Sequence, residues 1–256
     1  MDGSNETFSK ASPGRALAEA AGLEWLRAAE AQGGARVVRV LGVTADEIEL
    51  EQLVPARPTP DLAFEFGAAL AATHGAGADA FGAAPPGWSG PYYLGRQELP
   101  VSSEPRTWGV FYATDRVLPY LERAEQRGHV GPAQARLVRD ACVRIEAGEF
   151  DDDAVPSRLH GDLWNGNVVW TEDEAVLIDP AAHGGHAETD LAMLDLFGCP
   201  YLEDILAGYE SASPLREGLR ERLPLHQLHP LAVHAASHGA SYAGPLESAA
   251  RAVLDL

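Results

Sequence analysis

Arg158-Leu-His-Gly-Asp-Leu-Trp-Asn-Gly-Asn-Val-Val-Trp170, followed by Ala175-Val-Leu-Ile-Asp-Pro180, is the stretch whose reading decides the fold. It places Asp162 and Asn167 on one short loop between apolar runs, and Asp179 at the end of the β-branched, leucine-rich run Val176-Leu-Ile178. Phosphoryl transfer from a nucleotide needs a carboxylate beside the attacking hydroxyl and oxygen ligands that hold Mg²⁺ on the phosphates. The spacing Asp-x-x-x-x-Asn with an Asp downstream supplies both. Asp162 is then the catalytic carboxylate, and Asn167 and Asp179 are the metal ligands. Each residue alone reads equally well as a turn former or a strand-end cap, because Asp, Asn and Gly crowd turns for local reasons. Their order, with strand-like runs interposed, is what distinguishes a site from a set of turns.

The wording of the loop narrows the reading further. His160-Gly-Asp162, Leu163-Trp-Asn-Gly-Asn167, Ile178-Asp-Pro-Ala181, His183-Gly-Gly-His186 and the run Glu188-Thr-Asp-Leu-Ala-Met-Leu-Asp-Leu-Phe-Gly198 resemble the fructosamine kinase (ketosamine-3-kinase) family. The resemblance spans residues 6–250 and implies an α+β, protein-kinase-like bilobal fold of the aminoglycoside phosphotransferase type. It further implies ATP-dependent phosphorylation of a sugar hydroxyl on a ketosamine. In that frame Trp164 is either an apolar wall against a sugar ring or a core anchor of the loop. His160 braces the loop through hydrogen bonds, and Asp190 accepts backbone N–H groups from it.

Composition sets outer bounds. A chain of 256 residues with 46% hydrophobic and 22% charged residues suits one or two ordinary globular domains. A formal charge of −19 repels phosphate backbones, which disfavours nucleic acid as a partner. The same charge would repel ATP, so a locally basic pocket and Mg²⁺ must meet the nucleotide. No apolar run reaches membrane-spanning length, and Met1-Asp-Gly-Ser-Asn-Glu6 lacks a signal-peptide pattern, which reads as cytoplasmic. Cys142 and Cys199 match no metal or redox spacing and read as buried free thiols.

In chain order, Asp2–Asn5 reads as a turn, Glu6–Lys10 as a strand, and Ser12-Pro13 as a helix start with Gly33-Gly34 as its stop. Residues 35–41 and 47–54 read as two strands around a turn near Ala45-Asp46. This strand-helix-strand-strand order is that of a kinase N-lobe from its third strand onward, where a strand Lys pairs with a helix Glu and holds nucleotide phosphates. Lys10 and Glu19 stand at those positions. Glu51, Gln52 and Leu53 fall at the hinge, where backbone groups would meet adenine, and the proline-rich run Pro55–Pro60 marks the boundary between lobes. Residues 1–54 thus read as a truncated N-lobe and residues 55–256 as a mainly helical C-lobe.

Within the second part, Thr59-Pro60 caps a helix to Gly75, residues 78–104 read as a long loop near the cleft, and helices start at Trp108 and Pro132. His226, His229, His234 and His238 read as a structural helix face, since no Glu completes a zinc pattern. Only nine residues precede Lys10, enough at about 3.3 Å each for one strand and a turn. The hairpin and Gly-rich loop that cover the phosphates in a kinase N-lobe are therefore expected to be missing, which would weaken ATP binding and leave Phe8–Lys10 as an edge strand. Either a late translated start or a natural short form of little activity accounts for this. Two rival functions stay open: a kinase of another small alcohol, of the aminoglycoside, choline or homoserine type, and a non-catalytic binding protein that keeps the fold.

Overall fold

The computed structural model describes residues 7–256, so the turn expected at Asp2–Asn5 lies outside the described residues. The chain opens with β1 (Thr7–Ala11), α1 (Ala16–Arg27), β2 (Arg36–Val37), β3 (Val40–Val43) and β4 (Glu47–Glu51). β1, β4 and β3 form an antiparallel sheet in that order, with Lys10 opposite Ile48. Alternation along β4 buries Ile48 and Leu50 in the cluster that holds Leu23 and Leu26 of α1.

Two local expectations need correction. The first helix begins at Ala16, with neither Ser12 as its cap nor Pro13 as its first residue. Ser12 N–H instead donates to the Asp46 carbonyl (2.8 Å), and Gly14 N–H donates to Asp46 Oδ1 (3.0 Å) with Gly14 at φ +67°. These bonds to the β3–β4 turn hold residues 12–14 out of helical geometry. The single strand expected over 35–41 is two strands in different sheets. β2 leaves to pair in parallel with a later strand, and β3 pairs with β4 across an irregularity between Val40 and Gly42.

Next comes α2 (Pro60–Gly75), capped as expected by the Thr59 hydroxyl, which accepts from Leu62 N–H (3.2 Å). The segment expected as loop contains a small hairpin, β5 (Tyr93–Leu94) and β6 (Gln97–Glu98), turned at Gly95-Arg96 with Gly95 at φ +57°. Two-residue strands are too short to show alternation, so nothing in the pattern announced them. α3 (Trp108–Phe111), a π-helical segment (Tyr112–Val117) and α4 (Leu118–Gln126) run on without a break, and α5 (Pro132–Glu146) follows.

The catalytic stretch supplies β7 (Ser157–Leu159), β8 (Val168–Trp170), β9 (Ala175–Leu177) and β10 (His183–Gly185). β7 pairs with β10, and β9 lies between β2 and β8. The chain ends in α6 (Glu188–Phe197), α7 (Leu202–Ala212), α8 (Leu219–His238) and α9 (Ala243–Asp255). Pro230 inside α8 removes the N–H that the His226 carbonyl would have accepted, and the buried Tyr112 hydroxyl donates to that carbonyl instead (2.8 Å). α2 and α7 touch through glycines: a Cβ at Gly67 would lie 1.9 Å from the Ile205 carbonyl oxygen.

Apolar side chains gather in two clusters. One joins β4, α1, α2, β8, β9, α6 and α7, and the other joins the β5–β6 hairpin to α3, α4, α5, α8 and α9. Among the described residues, no helix is long and apolar enough to cross a membrane.

Candidate active site

The loop after β7 is held from beneath by one buried carboxylate. Asp190, near the start of α6, accepts the N–H of His160 (2.7 Å) and of Gly161 (3.0 Å), and faces His74 Nε2 at 3.2 Å. Burial alone would raise the Asp190 pKa, but His74 and the Gly161 N–H hold it below the ordinary value. Gly161 must be glycine: φ is +79°, and a Cβ would lie 2.3 Å from the Ala181 carbonyl oxygen. His160 is buried; its Nδ1 accepts the Asp162 N–H (3.3 Å), so Nε2 carries the proton and donates to the Ile178 carbonyl (2.9 Å). Burial lowers its pKa, which keeps this neutral tautomer. The bracing expected of His160 and Asp190 is what the geometry provides.

Asn167 ends a short 3₁₀ turn, and its Nδ2 donates to the Asp162 carbonyl (2.8 Å) and to Asp162 Oδ2 (3.1 Å). With the amide nitrogen engaged, Oδ1 is left as the available ligand atom. Asp179 sits at φ +52°, a conformation uncommon for a non-glycine residue and one that turns the chain sharply after β9. Its Oδ1 accepts from Lys10 Nζ at 2.8 Å, and Lys10 also reaches Glu19 at 3.1 Å. Burial would lower the Lys10 pKa, but the hydrogen bond to Asp179 and the charge of Glu19 raise it above its usual value. The Lys10–Glu19 pair is therefore formed, and an ammonium stands against the carboxylate expected to hold a metal.

Burial pushes the Asp162 carboxyl up to about 7; the Asn167 hydrogen bond opposes the shift, and the charges of Asp179 and Asp190 add to it. A carboxylate poised there is a competent proton acceptor near neutral pH.

Three cavities surround these groups. A slot of about 260 Å³ lies between Val38, Leu50 and Leu53 on one side and Val169 and Ile178 on the other. Glu51, Gln52 and Leu53 line it; the Glu51 carboxylate turns away to Arg36 (2.6 Å) and Arg39 (2.8 Å), and Gln52 Nε2 donates to the Leu53 carbonyl (3.1 Å). A second cavity of about 370 Å³ holds Lys10, Glu19, Asn167 and Asp179. A third, of about 760 Å³, opens on the other side of Asp162 and is walled by Met193, Val233, His234 and His238. Lys10, Arg15, Arg96 and Arg127 line the second and third cavities beside Glu19, Asp162 and Asp179, so the cleft is close to charge balance within a chain of formal charge −19 and is not the basic pocket expected from the composition.

Trp164 is 42% exposed and lines both larger cavities, its ring edge-on to Phe197 with centroids 6.4 Å apart. It is a wall of the cleft and not a core anchor. Two contributors went unseen in the sequence, His74 beneath Asp190 and the Gly95-Arg96 turn, and the reading of His226, His229, His234 and His238 as a structural helix face needs correction, since His229, His234 and His238 line the third cavity. His74 follows the apolar and small run Phe66–Ala72 of α2 with Thr73 beside it, a weak signal of a buried polar group; spacing carries none for the turn.

Of the described residues, His186, Glu188 and His226 bring ligand atoms within 4.8 Å of one another. Arg222 already donates to both Glu188 oxygens (2.9 and 2.6 Å), so a cation is in place there. Cys142 is buried and Cys199 half-buried, both as free thiols.

A family model described as fructosamine kinase matches residues 7–255. The chain belongs to the fructosamine kinase family. A "probable ketoamine kinase" of Vibrio parahaemolyticus is 32% identical over 192 residues, which cover 74% of this chain and 63% of that protein. A mouse protein named ketosamine-3-kinase is 32% identical over 145 residues, which cover 56% of this chain and 46% of that protein. A crystal structure described as a "putative fructosamine-3-kinase" from Thermobifida fusca superposes with a TM-score of 0.88 at 45% identity, covering 98% of this chain and 86% of that one. Members of the fructosamine kinase family share the α+β protein-kinase-like fold expected from the catalytic stretch, and this chain has it.

Proposed function

We propose that this chain transfers the γ-phosphoryl group of ATP to a sugar hydroxyl of a ketosamine. The observation that carries the reading is the position of Asp162: a carboxylate with a pKa near 7, held by Asn167, at the boundary between a Lys10–Glu19–Asp179 cleft and a cavity large enough for a sugar and part of its amine. The apolar slot lined by Glu51, Gln52 and Leu53 suits a flat heteroaromatic base, and Lys10 is placed for phosphate oxygens. Of the described residues, 7–54 supply much of this nucleotide side, and the helical part supplies the acceptor side.

The oxygen donors fit a divalent cation. Asn167 Oδ1 has its amide partner fixed, and Lys10 engages only Oδ1 of Asp179 and leaves Oδ2, unlike Glu188, whose two oxygens Arg222 occupies; Asn167 and Asp179 would therefore hold Mg²⁺. Bound there, Mg²⁺ would neutralise charge on the phosphates. Asp162 orients the acceptor hydroxyl and takes its proton. His160 and Asp190 keep the loop in place, and the exposed face of Trp164 gives the sugar ring an apolar surface.

The test is incubation with ATP and Mg²⁺ against fructosyl-lysine, ribulosyl-lysine, an aminoglycoside and choline, with products identified by mass spectrometry. A phosphorylated ketosamine is expected, and Asp162→Asn should lower its formation roughly 10²- to 10⁴-fold. Phosphorylation of the aminoglycoside or choline but of neither ketosamine would refute the acceptor assignment.

A further inference from the structure

The second and third cavities meet along a short border. The residues that line both are Gly95, Arg96, Asp162 and Trp164. Asp162 and Trp164 come from the catalytic loop, whereas Gly95 and Arg96 are the turn of the β5–β6 hairpin. The turn is anchored from three sides: Arg15 donates to the Gly95 carbonyl (2.8 Å), Gln97 to Ser237 (3.1 Å), and the Tyr120 hydroxyl to the Glu98 carbonyl (2.9 Å).

Arg96 itself is exposed, and among the described residues its guanidinium has no hydrogen-bond, carboxylate or aromatic partner. In a chain with 38 acidic and 19 basic residues, carboxylates take up many of the arginines, as in Arg36–Glu51, Arg106–Asp115 and Arg222–Glu188, and backbone carbonyls take up others, as for Arg127 and Arg158. Among the described residues Arg57 shares the lack of a partner, but it lines none of the three cavities of the cleft. Here a built turn carries an unengaged planar cation to the line where the donor and acceptor sides touch. Lys10 is committed to Glu19 and Asp179 on the donor side, so it does not reach charge that moves toward the acceptor.

We propose that Arg96 is a catalytic residue whose guanidinium contacts the equatorial oxygens of the phosphoryl group in transit. The inference rests on the phosphotransferase reading above. As the acceptor oxygen bonds to the γ-phosphorus, the bond from phosphorus to the β–γ bridging oxygen breaks. Its electron pair leaves on ADP, and the hydroxyl proton passes to Asp162. Arg96 gains and loses no proton; its fork of N–H donors meets charge spread over the transferring oxygens, a geometry that an ammonium does not reproduce.

The experiment compares the parent chain with Arg96→Ala and Arg96→Lys. It measures turnover on the acceptor, the affinity for ADP, and the affinity for ADP with aluminium fluoride, a stand-in for the transferring phosphoryl. Arg96→Ala should lower kcat roughly 10²- to 10³-fold, as loss of a transition-state donor does. It should keep ADP affinity within about threefold, since the contact forms only during transfer. The tightening that aluminium fluoride gives the parent should vanish, millimolar guanidinium chloride should restore part of the turnover, and Arg96→Lys should fall between. A kcat of Arg96→Ala within about threefold of the parent, or a loss confined to the acceptor KM, overturns the proposal. If the parent phosphorylates no ketosamine, the acceptor reading fails while the aluminium fluoride comparison still decides Arg96. A parent that binds no ADP overturns both.

Discussion

Asp162 gives a direct test of the site, because the same burial that makes it a useful base also makes it a cost to the fold. Its carboxyl is pushed up to about 7 from an ordinary value near 4. Three units correspond to about 4 kcal/mol at 1.36 kcal/mol each; Asp162 is half-buried, and solvent screening leaves roughly 2–3 kcal/mol. The folded chain binds this proton more tightly than the unfolded chain does. Stability from the group is therefore fully present below about pH 4 and is lost as the pH rises through about 7. Asp162→Asn removes the titration with little change of shape, and the new amide oxygen can still accept from Asn167 Nδ2. The variant should match the parent below about pH 4, pull ahead from pH 5 upward, and exceed it by roughly 2–3 kcal/mol at pH 8, about 4–12 °C in melting temperature for a chain of this size. Urea unfolding at pH 5, 6, 7 and 8 measures the gap. A gap that stays flat across that range, or a parent more stable at pH 8, would refute the argument. The parent's turnover should in turn fall as the pH drops below about 7, because the proton acceptor fills.

Other substitutions separate the roles around Asp162. Asp179→Ala should weaken binding of ATP with Mg²⁺ by at least about tenfold, since it removes a metal oxygen, and unchanged affinity by calorimetry would contradict the ligand assignment. Trp164→Ala should raise the acceptor KM about 2- to 10-fold and the ATP KM less, as expected for a sugar-facing ring; equal effects on both would place the ring elsewhere. Asp190→Ala strands two buried N–H groups and His74, so it should cost about 3–5 kcal/mol by urea unfolding, and a cost under about 1 kcal/mol would mean the loop is held by other contacts.

Most of the candidate site could be read from residues 158–198, because the proposed phosphoryl transfer constrains both the identity and the spacing of its oxygen groups. Lys10 and Glu19 were legible for a related reason: a strand followed by a helix brings an inward Lys and a first-turn Glu together, and the 3.1 Å pair bears that out. What escaped the reading depends on long-range bonds. Ser12 and Pro13 carry every local mark of a helix start, yet hydrogen bonds to Ala45 and Asp46 outweigh propensity there. Val37 and Val40 look like one strand because nothing in the local sequence says that Val38 will donate to Leu177, far along the chain. The hairpin at Gly95-Arg96 escaped for want of length: four paired residues leave no periodicity to detect.

The parallel pairing of β2 with β9 bears on how the cleft can move. Val38 N–H donates to the Leu177 carbonyl, two residues before Asp179, and the apolar cluster beneath continues unbroken from Leu50 and Leu23 to Leu177 and Leu70. The nucleotide strands and the strand that carries Asp179 are thus cast as one piece. A jaw built this way cannot adjust by swinging its two sides apart, since that would tear a strand pairing and open a buried core. Adaptation to ligands falls instead to the parts at the rim, above all the walls formed by α6 and α8. Under the proposed function, the donor half is pre-shaped, and diversity of acceptor can accumulate on the other half without disturbing how the phosphate donor would be held.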